Sequence, residues 1–482
     1  MPRPFPPPLL AALLAIALAA SPAGRLAAAP PNLVLILADD LGAHDLACTG
    51  GDLVRTPALD RLAAEGLTFR RALAPAPVCT PSRAALLTGL APARLGITIW
   101  SEGAREPGDD HPLREAPSLA DLPLGAVTLA ERLAEAGYLT ASVGKWHLGD
   151  ADHAPETQGF EVNIGGTHWG APVSHFFPWR GVRKGGEVRY VPHLEFGREG
   201  EHLTDRLTTE AIRVVDHAAD AGRPFFLLLS SHAPHTPIEA SPERIAAVEA
   251  RMRPGQRHRN AAYVAMVEQL DENVGRLVER LDRLDRSRDT VVIFTSDNGG
   301  YLGTDARGEQ VTDNFPLRSG KGTLYEGGLR VPLLVRCPGR VPQGATCDEP
   351  VILTDLFPTL LSLAGLGVDT SPCDGVDLAP LLADPAVALP RDALFFHYPH
   401  HYHAPPTGPA SALRTARHKL VEHYAAGTDG ALARRLELFD LESDPAEARD
   451  IAAERPALAA ELAGRLHRWL EDTGAKLPAV AR

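Results

Sequence analysis

The chain has 482 residues, 44% of them hydrophobic and 23% charged, with a formal net charge of −13. That composition is globular, and the length suits one large domain plus a smaller one with a sizeable core. The acidic balance excludes nucleic-acid binding through a general basic field, and it requires any anionic ligand to be met by locally concentrated cations.

Arg3 is the one charge ahead of a run of Leu, Ala and Ile from Leu9 to Ala20, and small residues follow at Ser21-Pro22-Ala23 and Ala27-Ala28-Ala29. This is the pattern of an export signal over residues 1–29, too short to cross a bilayer comfortably. It predicts a periplasmic or extracellular protein with no stable membrane insertion. From Pro31 onward, residues 32–38 form a continuous apolar run ending in Asp39-Asp40. Such a run suits a strand buried on both faces. Residues 56–66 carry a Thr cap, a first-turn Pro and a terminal Gly, which predicts a helix; 127–137 repeats the design with Thr128 as cap. Residues 224–230 and 290–295 are two further buried strands, and 261–284 is a longer amphipathic helix. Strands alternating with helices give an α/β sandwich over residues 30–385. The three strands end at Asp39-Asp40, at Ser231 to His235 and at Asp297-Asn298. Ligands bind at the carboxyl ends of strands in open α/β sheets, so these clusters predict one shared site. After about residue 385 the texture changes to short strands at 393–398, 411–414, 418–424 and 436–440, then a helix at 456–473. Residues 386–482 therefore read as a small C-terminal α+β subdomain of antiparallel strands plus one helix.

The chemistry centres on Cys79-Thr80-Pro81-Ser82-Arg83, continued by Ala84-Ala85-Leu86-Leu87-Thr88-Gly89. Further along come Gly137-Tyr138-Leu139-Thr140-Ala141-Ser142-Val143-Gly144-Lys145-Trp146-His147, Ala233-Pro234-His235-Thr236-Pro237, Ser296-Asp297-Asn298-Gly299 and Gly320-Lys321-Gly322-Thr323. With Asp39-Asp40-Leu41-Gly42, these segments in this order resemble type I sulfatases across the whole mature chain. The resemblance implies an alkaline-phosphatase-like fold, with a large mixed, mostly parallel sheet sandwiched by helices. It implies that a separate maturation enzyme oxidises Cys79 to formylglycine. Similarity to bacterial arylsulfatase A-like carbohydrate sulfatases makes a sulfated saccharide the expected substrate, ahead of a small aryl sulfate.

The residues support that chemistry. Sulfur in a sulfate ester is shielded by electron-rich oxygens, so attack needs a strong nucleophile and neutralised charge. A formylglycine aldehyde hydrates to a geminal diol; one hydroxyl attacks sulfur, the alcohol leaves, and a covalent sulfo-enzyme forms. The second hydroxyl then loses its proton and expels sulfate, a step that an unmodified Ser or Cys cannot supply. Asp39, Asp40, Asp297 and Asn298 offer only hard oxygens, which select Ca²⁺ or Mg²⁺ over Zn²⁺. The resemblance favours one Ca²⁺ per chain, with the modified residue 79 completing its shell. Read alone, Asp39-Asp40 is first a helix cap with a surface acid and Asp297-Asn298-Gly299 a tight turn; adjacent acids at the ends of two buried strands favour the metal site instead. Arg83, Lys145 and Lys321 are candidates to hold the sulfate and the modified side chain, because negative charge concentrates on sulfate and leaving oxygens. His147 and His235 are acid–base candidates. The residues do not order the two; the resemblance makes His147 the base for the diol and His235, with Lys321, the donor to the leaving alcohol.

Other segments fit more than one role. His397-Tyr398-Pro399-His400-His401-Tyr402-His403 reads as a pocket-rim loop touching a sugar, as a transition-metal cluster, or as a solvated loop. Gly165 to Gly170, Trp100 and Trp169 are further pocket candidates. The five cysteines are too few for a disulfide scaffold, although Cys337 and Cys347 could pair across a short loop in an exported protein. Many family members carry Arg after the Thr-Gly of the first signature; here Leu90 stands there, with Arg94 four residues on. Two rival functions remain: a phosphonate or phosphodiester hydrolase of the same superfamily, and a non-catalytic sulfoglycan-binding protein if Cys79 is not converted.

Overall fold

The computed structural model describes Met1 and residues 30–105, 111–183, 186–194, 196–368 and 372–481. The export signal expected over residues 1–29 lies, Met1 apart, outside the described residues. Among the described residues no helix is long and apolar enough to cross a membrane.

The apolar run becomes β1 (Asn32–Ala38), buried along its whole length at the middle of an eight-stranded sheet. The other strands are β2 (Leu67–Phe69), β3 (Leu139–Gly144), β4 (Val162–Ile164), β5 (Phe225–Ser230), β6 (Thr290–Ser296), β7 (Leu333–Arg336) and β8 (Ala345–Cys347). Their order is β8-β2-β7-β6-β1-β5-β3-β4. Only β7 runs against the rest, so the sheet is mixed and mostly parallel. Register decides where the site falls. Leu37 lies opposite Thr295 on one side and Ser230 on the other, so β1, β5 and β6 end together. The polar clusters that follow them meet at one edge of the sheet, as expected of strand carboxyl ends.

Alternation along β1 splits the core into two layers. Val34 and Ile36 face α1 (Pro57–Ala64), α4 (Leu203–Ala221) and α5 (Ala261–Arg283); Leu33 and Leu35 face α2 (Cys79–Thr88), α3 (Leu129–Glu135) and α6 (Leu356–Leu363). The start of α3 is a capping box: Thr128 Oγ1 accepts from Glu131 N at 3.1 Å while Glu131 accepts from Thr128 N at 2.7 Å. Thr56 does not cap α1 as expected. Its hydroxyl takes Ala47 N instead, and the first free N–H groups of α1, on Ala58 and Leu59, are capped by Asp271 of α5 at 3.1 and 2.7 Å.

The C-terminal meander comprises β9 (Ala393–Tyr398), β10 (Ala410–Thr415), β11 (His418–Ala426) and β12 (Leu432–Asp440), followed by α7 (Pro456–Asp472). Leu413, Leu420 and Leu438 pack on α7, while Phe396, Val421 and Phe439 pack against Val78, Leu324 and Leu329 of the main unit. The small sheet thus presses the 397–403 segment toward the strand-end edge. Cys337 and Cys347, which could have paired, do not; all five cysteines are free. The reason is register: β2 separates β7 from β8, and Cys347 lies opposite Phe69 whereas Cys337 lies beyond Leu67 at the other end.

One buried ion cluster fixes the loop after β1. His258, 3% exposed, places Nε2 2.8 Å from Asp45 Oδ1 and Nδ1 2.9 Å from Asp52 Oδ1. Burial works to lower its pKa, but the hydrogen bonds and charges of Asp45 and Asp52 outweigh it and raise it from 6.5 to about 9. A raised histidine stabilises the fold fully below its unfolded pKa and loses that contribution as pH rises through the folded value. We therefore expect His258→Gln to cost on the order of 3 kcal/mol near pH 6, and the gap from wild type to close near pH 10, read from thermal unfolding at each pH.

Candidate active site

Asp39 and Asp40 leave the end of β1 fully buried. Asp40 adopts a left-handed φ of 63° and is held there from β6: its N–H donates to Asp297 Oδ1 at 3.2 Å, and Asn298 Nδ2 donates to Asp40 Oδ1 at 2.8 Å. Cys79 opens α2, with its Sγ 3.6 Å from Asp39 Oδ1, 4.0 Å from Asp40 Oδ1 and 3.5 Å from Lys321 Nζ. Burial pushes its thiol well above the usual range, although Lys145 and Lys321 oppose that.

Each carboxylate has its own cation. Lys145 Nζ meets Asp39 Oδ2 at 2.7 Å, Lys321 Nζ meets both Asp40 oxygens at 2.7 and 2.8 Å, and Arg83 Nε meets Asp297 Oδ2 at 2.8 Å. Arg83 also donates to Lys145 O and Ser230 Oγ, at 3.1 and 2.5 Å, which ties α2 to β5. Burial opposes ionisation of Asp39, but neighbouring positive charge, led by the Lys145 ammonium, outweighs it and lowers its pKa. Lys145 is brought into position by Gly144, at φ 102°, where an added Cβ would lie 2.0 Å from Ser230 O.

The histidines differ in how they are held. His147, in a left-handed φ of 60°, puts Nε2 2.7 Å from Glu102 Oε2. A carboxylate can only accept, so Nε2 carries the proton and Nδ1, buried without a partner, keeps its lone pair. Burial pushes His147 down to about 4 against the pull of Glu102, so the ring is neutral near pH 7. Glu102 is itself fixed by Gly170 N at 3.1 Å and Arg189 Nη1 at 3.5 Å. His235 donates from Nδ1 to Thr236 O at 2.7 Å and places Nε2 3.5 Å from Asp40 Oδ2. Burial lowers its pKa, so its Nε2 is a donor only in the minor imidazolium form.

Asp40, Cys79, His147, His235 and Lys321 line one pocket of about 320 Å³. Arg83 and Lys145 lie beneath it, bracing carboxylates. Asp39, Asp40, Cys79 and His235 bring four ligand atoms within 4.8 Å of one another, a group able to hold a metal ion. Asn298 Oδ1 is buried beside them with no hydrogen-bond partner, a hard oxygen left over for a cation. The 397–403 cluster divides. His397 spends its nitrogens on Ser411 and Lys476 O, and His400 on Glu115 and Thr98, whereas Tyr402 and His403 form pocket wall. Trp100 lines the same wall, edge-on to Tyr402 at 5.9 Å. Trp169 instead donates to Glu187, outside the lining; Gly170 does line it, against the His147 ring. Leu90 packs on the core, and Arg94 forks onto Asp374 at 2.7 and 2.8 Å. Glu102, Arg183, Arg189 and Tyr301 are pocket residues that the sequence reading does not single out.

A family model described as Sulfatase matches residues 31–366, and one described as N-sulphoglucosamine sulphohydrolase, C-terminal, matches residues 319–476. The chain is 34% identical to mouse steryl-sulfatase over 565 residues, spanning 97% of this chain and 87% of that protein. It is 37% identical to human arylsulfatase A over 415 residues, spanning 82% and 76%. The crystal structure of Ps i-CgsB in complex with k-i-k-neocarrahexaose superposes with a TM-score of 0.76 at 30% identity, covering 92% of this chain and 93% of that one.

The charge cluster has a direct stability consequence. Arg83→Met strands the buried Asp297 carboxylate, and we expect a loss of about 3–5 kcal/mol in urea unfolding measured with a chelator present.

Proposed function

We propose, since the chain belongs to the sulfatase family and is a sulfuric ester hydrolase, that it removes sulfate from sulfated saccharides with Cys79 oxidised to formylglycine. The observation that carries this reading is the state of Cys79. It sits at the pocket floor against Lys321, where a nucleophile is needed, yet burial holds its thiol far from the thiolate form. A maturation enzyme that supplies the oxidant and exchanges sulfur for oxygen removes that obstacle. The aromatic wall of Trp100, Tyr301 and Tyr402 suits a sugar ring, and a structural relative is solved with an oligosaccharide named in its description. Export is part of the same proposal, on the strength of residues 1–29.

Asp39, Asp40, Asp297 and Asn298 would hold a Ca²⁺ ion beside residue 79, which when bound adds positive charge where sulfate oxygens collect. Without it, three carboxylates and three cations cancel. A dication therefore matches the two negative charges of the sulfate product. Lys321, with one N–H left after Asp40, faces sulfur's oxygens and the leaving oxygen. His147 Nδ1, neutral and unpartnered, takes the proton from residue 79 when sulfate is released. Glu102 holds that tautomer. His235 assists the leaving alcohol as imidazolium, with Lys321 the more abundant donor near pH 7.

Two measurements test this. Mass spectrometry of the peptide bearing residue 79, from active native protein, should show sulfur and two hydrogens exchanged for one oxygen; an intact thiol, or phosphodiesters turned over faster than sulfate monoesters, would sink the proposal. His147→Ala should lower kcat by about 10²–10⁴-fold with KM little moved. Glu102→Gln should lower kcat in the same sense, and the double variant should be no worse than His147→Ala alone, because the two side chains act as one unit.

A further inference from the structure

The cations around the pocket are not equivalent. Lys321 is spent on Asp40, and Arg189 on Glu187 at 2.7 Å and Glu102 at 3.5 Å. Arg183 lines the same pocket, is exposed, and enters no ion pair with a described residue. The neighbouring acid, Glu187, is already committed: Oε2 accepts from Arg189 Nε and Oε1 from Trp169 Nε1, at 2.7 and 2.9 Å. Arg183 is also built on a fixed base. Strands Arg180–Val182 and Val188–Tyr190 form a hairpin, closed by Arg183 N donating to Glu187 O at 2.8 Å. The inward residue of that hairpin, Arg189, is 7% exposed and fastens it to Glu102, the partner of His147. The guanidinium, whose charge acts on Glu187 without forming an ion pair, is thus held in a set relation to the reacting end, and shares its pocket with Trp100, Tyr301 and Tyr402.

We infer that Arg183 is a second anion subsite, taking a carboxylate or a second sulfate carried by the same substrate molecule whose scissile sulfate lies at Cys79. This rests on the reading of the pocket given above. A guanidinium fork matches the paired oxygens of either group. A pocket of about 320 Å³ is small for a ligand site, which puts the second anion on the same sugar or the next one.

The test compares three disaccharides: monosulfated and otherwise neutral, disulfated, and monosulfated with a uronate. In Arg183→Ala the kcat/KM of the disulfated or uronate substrate, relative to the neutral one, should fall about ten-fold through KM; Arg183→Glu should lower it further and Arg183→Lys should keep most of it. The arm that responds names the anion. An unmoved ratio, or an equal loss on all three, overturns the subsite. If wild type turns over no sulfate ester, the hydrolase reading falls separately. Equilibrium binding of the disulfated and uronate disaccharides to Cys79→Ala then decides the subsite: weaker binding with Arg183→Ala added supports it, and unchanged binding refutes it.

Discussion

Everything at this site depends on burying six charges together. Asp39, Asp40 and Asp297 are at most 3% exposed, as are Arg83 and Lys145, and Lys321 is 6% exposed. A buried charge without a partner costs several kcal/mol, so the cluster survives only because each carboxylate is met at 2.8 Å or less. The pairing also sets the order of parts from core to solvent. Arg83 and Lys145 belong to the bottom, where they hold the ends of β1 and β6. Lys321 is the one cation that both closes the cluster and reaches the pocket.

Holding the cluster strains the backbone. Asp40 and His147, and Ser319 two residues before Lys321, all take left-handed φ values of 60–63°. Such conformations persist where surrounding bonds over-determine them. For Asp40 those bonds come from Asp297 and Asn298, and the next turn is fixed by Ser296 Oγ on Leu41 N and Asp45 on Gly42 N, both at 2.9 Å. Asp45 is in turn locked by His258, so charge far from the pocket stiffens the loop that carries Asp39 and Asp40.

What could be read from the sequence were features that are local and one-dimensional. β1, β5 and β6 are continuous apolar runs, and the polar residues at their ends converge because parallel register makes them. β3 escaped that reading because Thr140 and Ser142 interrupt its apolar pattern; Thr140 satisfies its hydroxyl on Gly159 O at 2.7 Å, a contact no pattern reveals. Glu102 lies on a short helix, Ser101–Arg105, with no motif of its own, and acquires its role by meeting a histidine 45 positions away. Arg183 gave no signal either: it matters only because its neighbours are already paired. The 397–403 cluster was visible, but which histidines were structural depended on Ser411 and Lys476 for His397, and on Glu115 and Thr98, far off in sequence, for His400.

Thr80 shows how much of the signature around Cys79 concerns placement. Its hydroxyl donates to His147 O at 3.0 Å and accepts from Ser101 N at 3.2 Å. One side chain next to Cys79 therefore joins the turn that carries His147 to the helix that carries Glu102. Pro81 falls in the first turn of α2, where a missing N–H costs nothing, and its fixed φ suits the start of the helix. One turn along from Cys79, Arg83 reaches across the sheet edge to Asp297 and Ser230. Cys79 is thus positioned from three sides before any chemistry is asked of it. The placement of the residue 79 side chain is encoded in Thr80, Pro81 and Arg83.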